Sequence, residues 1–176
     1  MKQLLLFTTL LVALATTTNA QESFAKGDLV GHAGIGVSTY FSGRQAFLPV
    51  MLSLEYGVHD SFLNGKAAIG VGGYIGYAAV REKNFNIRTS HTVLGARGSF
   101  YYEFAERLDT YVGIALGYER VSVGDTKGNV SYVAPNSGVF PSSYIGARYY
   151  FSPQLAAFAE FGYGISPLEL GVAFKF

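Results

Sequence analysis

Cysteine and tryptophan are both absent from the 176 residues, and histidine occurs only three times. Without thiols there are no disulfide staples and no thiolate metal sites. His32, His59 and His91 lie too far apart in sequence to show metal-ligand spacing. Charge is sparse and nearly balanced, with a net of +1 at pH 7. No basic run is present to follow a nucleic-acid backbone. Beyond residue 20 no apolar stretch reaches the roughly 20 residues that a membrane-spanning helix needs. The chain is therefore expected to use no cofactor and no metal, and to bind no nucleic acid.

What is present begins with a secretory pattern. Met1-Lys2 supplies a short basic start, Leu4 to Leu14 an apolar stretch, and Thr18-Asn19-Ala20 a small-residue cleavage site. Residues 1–20 read as a signal peptide, 21–28 as a short periplasmic tail, and 29–176 as one domain.

That domain falls into eight segments of period-2 alternation: Leu29–Tyr40, Phe47–Val58, Gly65–Val80, Thr92–Ala105, Thr110–Val123, Val139–Phe151, Gln154–Gly164 and Leu168–Phe176. In the second, Leu48, Val50, Leu52, Leu54, Tyr56 and Val58 share one parity, against Pro49, Met51, Ser53, Glu55 and Gly57. Successive strand side chains point to opposite faces, so each segment has an apolar and a more polar surface. Glu55, Lys66, Arg97, Glu103, Glu119, Arg148, Glu160, Glu169 and Lys175 all fall on the parity rich in glycine, alanine and serine. The opposite parity is large and aliphatic, with Arg120 as the exception near a strand end. A charge facing lipid costs about 2–4 kcal/mol at the bilayer midplane. The apolar parity therefore faces lipid, and the charges and small residues face the inside of a closed, all-β, eight-stranded antiparallel transmembrane barrel.

Connections and aromatics agree with this architecture. The turns His59–Asn64, Glu106–Asp109 and Ser152-Pro153 are short, while Arg81–His91 and Gly124–Gly138 are the longest loops, an asymmetry expected between periplasmic and outer ends. Tyr56, Tyr102, Phe104, Tyr149, Phe151, Phe174 and Phe176 would form one interfacial girdle, and Tyr40, Phe47, Tyr77, Tyr118 and Tyr163 the other.

From Leu29 to Phe176 the pattern resembles the small bacterial outer-membrane barrels: the membrane domain of OmpA, OmpX and related porin-family proteins. Its most specific element is the last strand, where Leu168, Leu170, Val172, Phe174 and Phe176 alternate up to a terminal phenylalanine. In that family such an ending looks like the signal read by the barrel-assembly machinery. The resemblance implies an outer-membrane location and outer-membrane lipid as the surroundings. No peptidoglycan-binding domain of the OmpA kind follows the barrel sequence, so peptidoglycan anchoring is not expected.

Three functions are compatible with such a barrel. The first is a structural or surface-interaction protein whose lumen charges form a plug. The alternative is a narrow porin-like channel for ions or small solutes, in which the same charges gate. A lipid-A-modifying enzyme ranks third: Ser90 and His91 beside the start of the fourth segment are its only echo, and adjacent residues in extended chain point to opposite faces. No catalytic residue is assigned, and His91 reads as a solvated loop residue, His32 as lumen-packed and His59 as a turn residue. Gly70-Val71-Gly72 lacks the following helix of a phosphate-binding loop. An unknown extracellular ligand would find its best surface at Gly124–Gly138, through Asp125, Lys127, Asn129, Tyr132 and Asn136.

Overall fold

The computed structural model describes residues 23–81, 87–125, 131–133 and 136–176. The signal segment therefore lies outside the described residues. Strands β1 (Leu29–Gly36), β2 (Arg44–Phe62), β3 (Ala67–Arg81), β4 (Ile87–Ala105), β5 (Leu108–Asp125), β6 (Ser131–Val133), β7 (Gly138–Tyr150), β8 (Leu155–Tyr163) and β9 (Leu168–Lys175) follow in chain order. Pairing runs β4-β3-β2-β1-β9-β8-β7-β5, and β5 pairs back onto β4, so eight strands close a ring. Short β6 adds to the outer part of β5 through Ser122↔Val133 and Gly124↔Ser131. Every pairing is antiparallel, including the seam between the first and last strands, Val30↔Lys175 to Gly36↔Glu169. Closure satisfies the backbone groups that an open sheet edge would leave bare, which is what a membrane-spanning sheet requires.

The alternation read from sequence sets the two faces. Leu52, Leu54, Leu94, Ile114, Leu116, Val139, Ile145, Phe161 and Leu170 are exposed on the outside of the ring, Ile114 at 72% and Val139 at 74%. Aromatics stand outward near both ends of the strands: Tyr56, Phe104, Tyr149, Phe151 and Phe176 at the end holding Leu29, and Tyr40, Phe47, Tyr118 and Tyr163 at the other. Inside lie His32, Glu55, Tyr74, Arg97, Tyr101, Tyr111, Arg148, Phe158 and Glu160, all buried.

Several boundaries differ from the sequence reading. β2 runs four residues past Val58, and the turn beyond it is made by Leu63, Asn64 and Gly65, all at positive φ. β4 starts at Ile87, five residues early. The turn at 106–109 is tighter than expected: only Glu106 and Arg107 lie outside strands, and β5 resumes at Leu108. The segment read as a tail is folded onto the barrel end, with Ser23, Phe24 and Ala25 buried.

Candidate functional site

Three layers of side chains fill the ring between the terminal end, where Leu29 and Lys175 lie, and the loop end. In the middle layer Arg97, from β4, is the hub. Its Nη2 donates to Glu160 Oε1 at 2.7 Å, its Nε to the Tyr144 hydroxyl at 3.0 Å, and its Nη1 to Ser53 Oγ at 3.3 Å. Glu55 Oε2 lies 3.5 Å from Nε, with side-chain exposures of 2% for Arg97 and 0% for Glu55. The guanidinium also sits 4.2 Å from the Tyr144 ring centroid, a cation–π contact that reinforces the ion pairs. Glu55 in turn accepts from Ser99 Oγ at 2.5 Å and from the Tyr101 hydroxyl at 2.6 Å. Glu160 accepts a second bond from the Tyr111 hydroxyl at 3.0 Å. Buried charges persist only when paired and hydrogen-bonded, and these meet that condition.

Toward the terminal end, Arg148 donates through Nη2 to Asp109 Oδ2 at 2.8 Å and through Nη1 to His32 Nε2 at 3.1 Å. Arginine has no acceptor, so His32 Nε2 must accept. The imidazole is then neutral with its proton on Nδ1, from which it donates to Ser53 Oγ at 3.2 Å. Ser53 thus joins the two arginine layers. Phe24, Tyr101 and Tyr150 surround the Arg148 guanidinium at 5.0–5.3 Å. Phe24 is held by a tilted ring contact with Tyr101, centroids 4.2 Å apart. Its backbone N–H donates to Asp109 Oδ1 at 3.4 Å. Lys175 Nζ donates to the Ser23 carbonyl at 2.9 Å and to Asp28 Oδ2 at 3.0 Å.

Glycines make room for this filling. Tyr111 and Gly146 are cross-strand partners on β5 and β7, as are Gly113 and Tyr144. Each tyrosine ring lies over its opposing glycine: an added Cβ on Gly113 would stand 2.3 Å from Tyr144 Cζ, and one on Gly146 would stand 2.5 Å from Tyr111 Cε2.

At the loop end Tyr74, Ser142, Ser166, Glu160 and Glu169 line a cavity of ≈ 50 Å³. Glu169 is directly opposite Glu160 in the β8–β9 register. Like charges directly opposite destabilise a sheet, and the two carboxylates are treated differently. Glu160 is bonded to Arg97 and Tyr111, whereas Glu169 Oε1 is buried and, among the described residues, has no hydrogen-bond partner. Replacing Glu160 with glutamine is therefore expected to destabilise the barrel by about 1.5–3 kcal/mol, as for a lost hydrogen bond to a charged group. The Glu169→Gln variant should unfold no earlier than the parent. Urea unfolding in micelles, followed by circular dichroism, compares the two. Equal losses would contradict the asymmetry.

Of the nine lumen charges expected from sequence, Glu55, Arg97 and Glu160 form one cluster, with Glu169 beside it. Arg148 and Lys175 belong to the terminal layer, where each has an acidic partner not among the nine, Asp109 and Asp28 respectively. Glu119 stands apart, 2.7 Å from His91 Nδ1. Lys66 is a correction: it lies exposed in the turn before β3, its carbonyl still accepting from the Glu103 N–H at 2.9 Å. Glu103 is half-buried at the rim and makes no ion pair among the described residues. His91 is also corrected. It is buried within β4 and stacked on Phe41 at 3.6 Å, because β4 begins earlier than the alternation indicated. His59 lies exposed in the extended part of β2, against Phe62. Of the loop residues, Asn136 is exposed, Asp125 ends β5 and Tyr132 sits in β6; Lys127 and Asn129 lie outside the described residues.

No protein-family model matches the sequence, and no curated protein does. Solved structures do match in fold. The N-terminal β-barrel domain of Pseudomonas aeruginosa OprF is 17% identical, with 87% of this chain and 100% of that one covered and a TM-score of 0.52. Neisserial surface protein A is 15% identical over 85% of this chain and 95% of its own, at 0.54. Ail of Yersinia pestis, in complex with the heparin analogue sucrose octasulfate, is 13% identical over 86% and 99%, also at 0.54. With a closed antiparallel ring of eight strands, an apolar exterior and a polar filled interior, the chain has the fold of the small bacterial outer-membrane β-barrels.

Proposed function

We propose that this protein is a closed outer-membrane barrel with a structural and surface-interaction role, exported by its N-terminal signal and embedded in outer-membrane lipid. The observation that carries this reading is the occlusion of the lumen by Arg97 and Arg148, whose side chains are 2% and 0% exposed and bonded to carboxylates from other strands. An eight-stranded barrel is just wide enough for side chains to fill, and here two arginine layers and Phe24 stand in series along its axis. Function then falls to the surfaces: the lipid-facing wall and the loops, with Asp125, Lys127, Asn129, Tyr132 and Asn136 as the candidate contacts for an extracellular ligand. Leu168, Leu170, Val172, Phe174 and Phe176 would serve the barrel-assembly machinery during biogenesis. The enzyme reading finds little support, since Ser90 Oγ donates to the Ser122 carbonyl and the His91 ring is covered by Phe41.

Conductance of the mature chain, residues 21–176, refolded into a planar bilayer tests the closed lumen. A folded, heat-shifting but electrically silent protein is expected. Reproducible discrete current steps would overturn the reading in favour of a narrow channel.

A further inference from the structure

On the outer wall near the loop end, three arginines stand in direct cross-strand register. Arg44 on β2 faces Arg81 on β3, and Arg81 faces Arg88 on β4. Strand side chains alternate, and Arg81 shares the outward parity of Ile75 and Val71, as Arg88 shares that of Leu94. Adjacent strands are about 4.8 Å apart, so the row gathers three positive charges within roughly 10 Å of wall. Like charges placed directly opposite one another are unfavourable. Among the described residues, none of the three forms an ion pair. Arg88 Nη2 donates to the Tyr77 hydroxyl at 3.0 Å, which fixes one guanidinium in the row without neutralising it. One strand further round, Arg120 also lies outward, opposite Thr92.

Height on the barrel identifies what faces this row. Just below it, toward the middle of the wall, come Phe47 and Tyr77, whose rings pair at 6.2 Å, and then Val50, Ile75 and Leu94. Aromatic residues of this kind mark the level where the apolar band meets the polar headgroups. Arginines immediately above them are at headgroup height. The planar fork of arginine matches phosphate oxygens bidentately, and several guanidiniums on one anion relieve their mutual repulsion.

We propose that Arg44, Arg81 and Arg88 form a binding row for the phosphate group of an anionic lipid in the leaflet surrounding the loop end. The row selects the headgroup by charge and planar hydrogen bonding, while Phe47 and Tyr77 pack against the upper part of the acyl chains. This inference rests on the membrane reading above, and the test separates the two.

The mature chain is refolded into phosphatidylcholine vesicles containing spin-labelled phosphatidic acid or spin-labelled phosphatidylcholine, and electron spin resonance measures the fraction of label held at the protein. Each arginine near an anionic surface strengthens association roughly fivefold. The parent should therefore prefer phosphatidic acid, and Arg81→Gln with Arg88→Gln should lose most of that preference. Lys66→Gln, at the opposite end, should leave it unchanged. Arg44→Gln alone, which removes no bond seen among the described residues, gives the measurement if the double variant does not refold. A parent that treats both lipids alike, or variants that keep the preference, would overturn the proposal. So would a parent that binds millimolar inorganic phosphate through these arginines yet shows no lipid preference, since its occupant would be a free anion. Failure to insert into vesicles at all would instead sink the membrane reading.

Discussion

The Arg97→Ala barrel is expected to be about 3–5 kcal/mol less stable than the parent, the range for removing one partner from a buried ion pair. The size of the effect comes from what remains. Glu55 and Glu160 keep their places on β2 and β8, both buried, with no cation between them. Hydroxyls from Ser99, Tyr101 and Tyr111 still donate to them, but neutral donors do not cancel charge in a low-dielectric interior. A combined variant sharpens the test. Arg97→Met with Glu55→Gln and Glu160→Gln removes the charges together and should recover most of the loss, because a buried ion cluster is often matched by neutral residues that fill the same volume. Urea unfolding in micelles, read by circular dichroism and by heat-dependent gel mobility, reports both. A loss under about 1 kcal/mol for Arg97→Ala would mean that water reaches the carboxylates freely, contrary to their burial.

A single added methyl group should have an effect nearly as large. Gly113→Ala and Gly146→Ala place a Cβ inside the Tyr144 and Tyr111 rings, at 2.3 and 2.5 Å. Overpacking of this kind costs about 1–3 kcal/mol. Moving Tyr144 also removes its bond and ring contact with Arg97, and moving Tyr111 removes its bond to Glu160. Losing a hydrogen bond to a charged group adds about 1.5–3 kcal/mol. Gly98 provides the control. It faces outward, and an added Cβ would meet nothing closer than the Gly70 carbonyl at 3.9 Å. Gly98→Ala should therefore change stability by less than about 0.5 kcal/mol. If the three alanine variants unfold together, the glycines matter for backbone freedom rather than for the space they give the tyrosines.

The architecture was legible because its cause is local. Alternation in Leu48–Val58 or Leu168–Phe176 follows from the two-residue period of a strand, and the exclusion of charge from one parity follows from the cost of burying it in lipid. Strand ends were less legible. Arg107 takes a positive φ of 65°, which nothing in its side chain announces, and this allows a turn tight enough to bring Asp109 inside. Read as a polar turn residue, Asp109 was missed as the partner of Arg148. Asp28 and Phe24 were missed for a related reason. Eight residues with no alternation look like a tail, and only the geometry of the ring shows that its end can receive an aromatic side chain. Lys66 carries the parity of a lumen residue, but it lies exposed in a turn at the end of the barrel, where parity no longer decides which side a side chain takes. The lumen was thus readable as a set of charges, whereas their pairing depended on which strands the ring placed opposite one another.

The seam between β1 and β9 has a kinetic consequence. Every other junction of the ring joins strands that are successive along the barrel wall, so each can form by local zippering, while Val30↔Lys175 joins the two ends of the barrel sequence. Closing so long a loop has the largest entropic barrier of any pairing in the ring. Lys175 then couples that last step to the N-terminal segment, since its ammonium reaches the Ser23 carbonyl and Asp28 only when the seam is shut. The clasp contributes nothing to an open sheet and its full worth to the closed one, so it slows reopening more than it speeds closure.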